Sequence, residues 1–270
     1  MCGIFAYIGS QPIPIQQVLE LMRLLEKDQE PGEKNPVGGD GAGIAYLSQR
    51  NEFTFTKVGK TNGSPVNKLS RKIEHNAESS TLILAHVRHA SPEFQHTIKH
   101  AGCTQPYRPT CTKGLTVFTA HNGYLANYQQ LKKNLTGTHQ FESEETQLID
   151  SEVTAHVFEE ALTKQNDPTK AAHTLYERTQ GTDKQGNTII TVTLNNSQAY
   201  IDAIHKGKTR GLVVWVNPQN EAIICTREKP AQKILGSILK KNKYQKIINI
   251  TRHDTTNTET HFNAPVKKKT

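Results

Sequence analysis

Four positions spread along the chain carry residue types suited to acyl transfer from an amide: Cys2, Arg88, the pair Asn122-Gly123, and Asp150. Cys2 follows the initiator in Met1-Cys2-Gly3-Ile4-Phe5. Removal of Met1, usual before a small residue, leaves a thiol and a free α-amine on one residue. That amine has a reference pKa of about 7.7–8.0, so it serves as a base near neutral pH. It can take the thiol proton directly or through one water, which is how N-terminal nucleophiles work. A thiol attacking a primary amide also needs an oxyanion hole. A side-chain amide and a backbone N–H, as in Asn122-Gly123, supply one. An amino-acid substrate adds two requirements: a cation for its α-carboxylate, which the planar fork of Arg88 suits, and an anion for its α-ammonium, which Asp150 supplies. Taken singly, each has a plainer reading. Cys2 can be a chance cysteine, Arg88 a surface ion-pair partner, Asn122-Gly123 a hairpin turn and Asp150 a solvated helix face. Their conjunction carries the weight.

The elements that must hold these residues can be read from hydrophobic period. Ile4–Ile8 is a short apolar run closed by Gly9-Ser10 and predicts a buried strand. Val18, Leu21, Met22 and Leu25 recur at helical spacing within Ile15–Lys27. A loop rich in Pro and Gly spans Glu26–Gly39. Strands are predicted at Gly43–Ser48 and Glu52–Val58, then a helix near Pro65–Asn76. Thr81–Val87 is a strand that runs into Arg88, and Leu115–Ala120 a strand that runs into His121-Asn122-Gly123. Leu125–Leu135 and Glu144–Thr163 read as helices, with Asp150 inside the second. Further strands are expected at Thr188–Leu194, Ala199–His205, Gly211–Val216, Ala222–Arg227 and Lys246–Thr251. Polar residues at strand ends face clefts more often than cores, and loops there mount chemistry on a rigid scaffold. No repeat or linker divides the chain, so one α+β domain over residues 2–260 is expected. Residues 261–270 are expected to be a flexible basic tail.

Composition excludes more than it selects. At 270 residues the chain has ample core for one large domain. No stretch approaches the roughly 20 apolar residues of a membrane helix, and the N-terminus lacks a signal-peptide pattern, so the expectation is a cytoplasmic protein without membrane contact. The net charge of +8 is diffuse, clustering only at Lys240-Lys241-Asn242-Lys243 and Lys267-Lys268-Lys269, without interleaved aromatics. Nucleic acid is therefore not the expected partner. Cys2, Cys103, Cys111 and Cys225 are expected to stay reduced. Cys103 and Cys111 with His100 fit no common zinc spacing, so no metal and no cofactor is expected.

The motifs, in this order, resemble the class II glutamine amidotransferases, the N-terminal-nucleophile glutaminase family, over roughly residues 2–160. Cys2-Gly3-Ile4 is similar to the family's opening, and Gly39-Asp40-Gly41-Ala42-Gly43 to its glycine-rich turn before a strand. His86-Val87-Arg88-His89-Ala90-Ser91 resembles the segment that binds the glutamine carboxylate, with Ser91 where threonine is usual. Thr104-Gln105-Pro106-Tyr107 resembles the family's His-Pro or Gln-Pro pair. His121-Asn122-Gly123 matches the oxyanion segment, and Ile149-Asp150-Ser151-Glu152-Val153 the aspartate segment. Two departures stand out: Val37-Gly38-Gly39-Asp40 replaces an upstream arginine, and the Arg88–Asn122 stretch is longer than in the sugar-amidotransferase branch. Glu142-Ser143-Glu144-Glu145 rivals Asp150, which is preferred because the helix after it continues the family pattern.

The resemblance implies a four-layer αββα sandwich. It also implies glutamine hydrolysis through a γ-glutamyl thioester on Cys2. Asn122 and Gly123 would form the oxyanion hole, Arg88 with His89 and Ser91 the carboxylate site, and Gly123 with Asp150 the α-amino site. The α-amine fills the general-base role, so His89, His121 and His156 are given none. Residues 161–270 suffice to finish the sandwich and hold no phosphate-cradling glycine loop. The expectation is thus a glutaminase that passes ammonia to a separate synthetase subunit. The alternatives are a stand-alone amidohydrolase of a γ-glutamyl conjugate and, from another class, a silent binding module.

Overall fold

The computed structural model describes residues 2–73, 78–195 and 197–266. Its first strand contains the expected buried run Ile4–Ile8 and explains why that run is apolar throughout. In β1 (Gly3–Pro14), Phe5 and Tyr7 pack toward helices, whereas Ile4, Ala6 and Ile8 pack toward a second sheet. Both faces are covered, so Ile4–Ile8 is continuously apolar rather than alternating.

Around β1 a seven-stranded sheet runs in the order β10-β8-β9-β1-β4-β2-β3. Its other strands are β2 (Gly41–Leu47), β3 (Phe53–Gly59), β4 (Ser79–Arg88), β8 (Leu212–Val216), β9 (Ala222–Cys225) and β10 (Gln245–Ile250). The second sheet runs β11-β7-β6-β5, from β5 (Thr116–Gly123), β6 (Asn187–Asn195), β7 (Gln198–Gly207) and β11 (Thr256–Pro265). Every described pairing is antiparallel.

Helices α1 (Ile15–Lys27), α2 (Pro65–Lys72) and α6 (Glu228–Lys241) cover the outer face of the large sheet. Helices α3 (Tyr128–Lys133), α4 (Asp150–Gln165) and α5 (Pro168–Arg178) cover that of the small one. The result is the α+β four-layer αββα sandwich. Between the sheets lies an apolar layer in which Phe118 is fully buried, its ring 4.9 Å from that of Phe53 and 5.3 Å from that of Phe55.

Two expectations need correction. Residues 261–265 are not tail: they complete β11, paired in register with β7 from Thr256↔Gly207 to Pro265↔Gln198. Lys267–Thr270 and Glu74–Asn76 of the expected second helix lie outside the described residues. The helix expected from Glu144 begins at Asp150, because Glu142–Glu145 forms a separate 3₁₀ turn. The Glu152 carboxylate accepts the N–H groups of Glu142 and Ser143 and fixes that turn. Among the described residues, no helix is long and apolar enough to cross a membrane.

Phe118→Ala removes a fully buried ring from the inter-sheet layer and should cost about 3–5 kcal/mol. Phe118→Leu, which refills most of the volume, should cost well under half of that. Urea unfolding of the two variants checks the order; equal losses would mean that this layer is loosely packed.

Candidate active site

At one end of the sandwich the starts and ends of strands from both sheets converge on a cavity of about 440 Å³. Cys2, Arg88, His89, Ser91, Gly123 and Asp150 all line it. Asn122 sits directly behind, fully buried. Each sequence-predicted site residue therefore meets the others here, although the positions span nearly 150 residues of chain.

Cys2 precedes β1 and is 8% exposed. Its backbone nitrogen donates to Asn122 Oδ1 at 2.8 Å, a contact from the large sheet to the small one. The thiol lies against the chain just after β4: His89 N–H donates to Cys2 Sγ at 3.4 Å, and Sγ is 3.6 Å from His89 O. With Oδ1 occupied, Asn122 Nδ2 is left buried without a hydrogen-bond partner. Such an orphan donor is costly, and a transient oxyanion is the kind of partner it lacks. Gly123 follows at the end of β5, in strand and not in a turn. A Cβ there would lie 2.2 Å from Gly186 O, so only glycine permits this approach of strands.

Arg88 ends β4 at 3% exposure. Its Nη2 donates to Thr97 Oγ1 at 2.7 Å and its Nη1 to Thr97 O at 3.4 Å. Among the described residues no carboxylate lies within 4.0 Å of it. A buried guanidinium in that state favours an anion entering the cavity. Asp150 opens α4 at 4% exposure. Its Oδ2 accepts from Leu125 N–H at 2.9 Å and its Oδ1 from Ser151 N–H at 2.8 Å, while the helix N-terminus favours its negative charge. These bonds fix the carboxylate without neutralising it.

Two positioning residues were not assigned a role from sequence. Asp40 receives Lys60 Nζ at 2.9 Å and Ala90 N–H at 3.1 Å, and its own N–H donates to Arg88 O at 2.9 Å. It thus holds the Arg88–Ala90 backbone from both sides. Burial alone would raise its pKa, but the Lys60 ammonium and the Ala90 N–H hold it below the usual carboxylate range. Gln105 acts on β5: its Nε2 donates to His121 O at 3.1 Å and to Ser151 Oγ at 3.1 Å, and its Oε1 accepts His121 N–H. The His121 ring is fixed by Ser151 Oγ at 2.9 Å and Asn187 Oδ1 at 2.7 Å, an orienting rather than a proton-transferring arrangement. Position within the Gly39–Gly43 and Gln105-Pro106 motifs was the only sequence signal for either residue.

The mouth is basic: Lys34, Lys184, Lys208, Arg210 and Arg252 reach it. One wall, residues 28–35, is tied down by arginines. Arg227 pairs with Asp28 (3.1 Å), Glu30 (3.0 Å) and Glu33; Arg252 pairs with Glu30 (3.3 Å) and Arg210 with Glu33 (3.6 Å).

No family model matches the chain. It is 27% identical over 181 residues to the glutamine–fructose-6-phosphate aminotransferase [isomerizing] of Bradyrhizobium diazoefficiens, covering 67% of this chain and 25% of that one. It is 29% identical over 166 residues to that of Acinetobacter baylyi, covering 62% and 23%. The chain spans about a quarter of the length of these curated relatives. The glutamine phosphoribosylpyrophosphate amidotransferase from B. subtilis superposes with a TM-score of 0.59 at 15% identity, over 99% of this chain and half of the other. That likeness establishes the fold, the αββα sandwich. Motif order and sequence likeness make the chain similar to the class II glutamine amidotransferases, and its fold agrees with that likeness.

Burial holds His86, His89 and His121 below the ordinary histidine pKa, His89 at about 4. Their folded-state values lie below the unfolded one, so between about pH 6.5 and 4 the unfolded chain binds more protons. Stability is then expected to be intact above about pH 6.5 and to fall as pH drops toward 5. Urea midpoints between pH 7.5 and 5, on a scale of about 1.4 kcal/mol per proton and pH unit, measure this. A flat profile would contradict the neutral, buried assignment of these rings.

Proposed function

We propose that this domain hydrolyses the side-chain amide of glutamine once Met1 has been removed. The observation that carries the reading is the buried, carboxylate-free guanidinium of Arg88 in the same cavity as the Cys2 thiol. In this reading Arg88 grips the substrate α-carboxylate, with His89 and Ser91 beside it, and Asp150 with the Gly123 carbonyl receives the α-ammonium. The Cys2 amine, held by Asn122 Oδ1, takes the thiol proton as Sγ attacks the amide carbon. Asn122 Nδ2 and Gly123 N–H then stabilise the oxyanion. The C–N bond breaks, the amine returns its proton to the leaving nitrogen as ammonia, and water hydrolyses the γ-glutamyl thioester to glutamate. The thiol stays free for this chemistry in a reducing cytoplasm, and all four cysteines are unpaired.

The relatives' name gives glutamine as the nitrogen donor to fructose 6-phosphate. For this chain the ammonia acceptor is proposed to be a separate synthetase subunit. One observation favours a second reading, a hydrolase of a γ-glutamyl conjugate: the cavity continues from Cys2 to the basic mouth at Lys34, Lys184 and Lys208, leaving room for a larger, acidic leaving group.

Treatment with a diazoketone analogue of glutamine, followed by intact-mass spectrometry, should show loss of Met1 and one adduct, absent in Cys2→Ala. A retained Met1, or no adduct at saturating analogue, would overturn the glutaminase reading and leave a γ-glutamyl hydrolase of different specificity or a silent binding module. Asn122→Ala should lower kcat by about 10²–10³ with the adduct still forming slowly. Arg88→Lys, which cannot grip a carboxylate through two nitrogens, should act mainly on KM for glutamine. A γ-glutamyl conjugate turned over faster than glutamine would favour the second reading.

A further inference from the structure

Further along α4, away from the cavity lining, four potential metal ligands from three separate segments come together. Cys111 lies in the loop before β5, His139 in the loop after α3, and His156 and Glu159 one turn apart on α4. One donor atom from each lies within 4.8 Å of all the others. His156 Nδ1 is 3.5 Å from Cys111 Sγ, 3.2 Å from His139 Nδ1 and 3.9 Å from Glu159 Oε2. The edges of a tetrahedron built on Zn–N and Zn–O bonds of about 2.0–2.1 Å and Zn–S of about 2.3 Å are roughly 3.3–3.6 Å. We propose that Cys111, His139, His156 and Glu159 bind one zinc ion as a closed, structural site.

The hydrogen-bond pattern around the cluster is the one such a site requires. His139 Nε2–H donates to Thr136 O at 3.0 Å, which leaves the Nδ1 lone pair facing inward. His156 turns Nε2 toward Glu152 Oε1 at 4.0 Å, and its ring is held by Phe141 at a centroid distance of 4.1 Å. Glu159 is 1% exposed; its Oε1 accepts Thr112 N–H at 2.9 Å, but Oε2, aimed at His156 Nδ1, has no hydrogen-bond donor. Protons satisfy the group only weakly: one N–H can bridge the two imidazoles, and toward Glu159 the Cys111 thiol offers only a weak S–H donor. A divalent ion accepts all four lone pairs, and thiolate plus carboxylate cancel its charge, which suits so buried a place. The mixed sulfur, nitrogen and oxygen set favours zinc over magnesium or calcium.

From sequence, Cys111 was weighed with Cys103 and His100 and set aside. The structure gives Cys103 a different neighbour, Ser143 O at 4.0 Å, and Cys111 different partners. Zinc here would pin both loops to α4, the helix whose first residue is Asp150.

The test uses the full chain, stripped with a chelator and reconstituted with zinc or with cobalt(II). One zinc per chain should survive gel filtration and raise the melting temperature over the chelated protein. Cobalt should give the intense visible bands of a tetrahedral centre and a thiolate charge-transfer band in the near ultraviolet. Cys111→Ala should lose stoichiometric zinc while keeping the wild-type circular dichroism. Should that variant not fold, His139→Ala, on a surface loop, takes its place, and the cobalt spectrum of the wild-type chain decides in any case. Zinc retained at one per chain by Cys111→Ala, sub-stoichiometric zinc in the wild type, or cobalt bands without thiolate character would overturn the site.

Discussion

A positive charge sealed away from water is the constraint on which this site depends. Arg88 lies at the end of a central strand, and moving a guanidinium there without a counterion costs several kcal/mol. The fold offsets part of that with Thr97 and leaves the rest open on the cavity side. The large buried layers on both faces of β4 supply the stability that makes such a placement tolerable. Asp150 is the mirror case, a carboxylate satisfied by neutral donors, two N–H groups and the Ser151 hydroxyl. The two unmatched charges make the cavity complementary to a zwitterion before any ligand arrives, which is electrostatic preorganisation in its simplest form.

Around these charges the chain spends polar side chains on backbone placement. Asp40 and Gln105 act on main-chain groups, the one beside Arg88 and the other beside Asn122. Glycine permits close approach where it is needed: at Gly43 a Cβ would sit 2.2 Å from Gln105 O, so the glycine-rich turn and the Gln-Pro segment are sterically matched. The motifs are therefore a set of mutual contacts, and none of them alone implies the cavity.

Much of this was legible because chemistry restricts residue type more tightly than packing does. A thiol at position 2, an arginine ending an apolar strand and an Asn-Gly ending another survive as signals without any alignment. What escaped has physical reasons. β11, Thr256-Asn-Thr-Glu-Thr-His-Phe-Asn-Ala-Pro265, is polar enough to read as tail. It forms because β7 offers ten residues of open edge, with Phe262 as its single anchor in the core. α6 was passed over although Ala231, Leu235 and Leu239 recur every fourth residue, since lysines crowd its other faces. The start of α4 was misplaced because Ser143 and Glu152 build a polar turn whose partners lie nine residues apart. The cluster at Cys111 was invisible for a plainer reason: its loops meet only after the small sheet has formed.

The bond from the Cys2 nitrogen to Asn122 runs from one sheet to the other. The proposed nucleophile and the proposed oxyanion donor thus belong to different halves of the sandwich, and the gap they share is set by the thickness of the apolar layer between them. Phe118, Ala120, Ile4 and Ala6 act as spacers, as shims do in a jaw. A change of side-chain volume there alters the aperture of the jaw while every polar contact at its tip keeps its residues. Under the proposed mechanism the hydrocarbon layer is itself a part of the catalytic geometry.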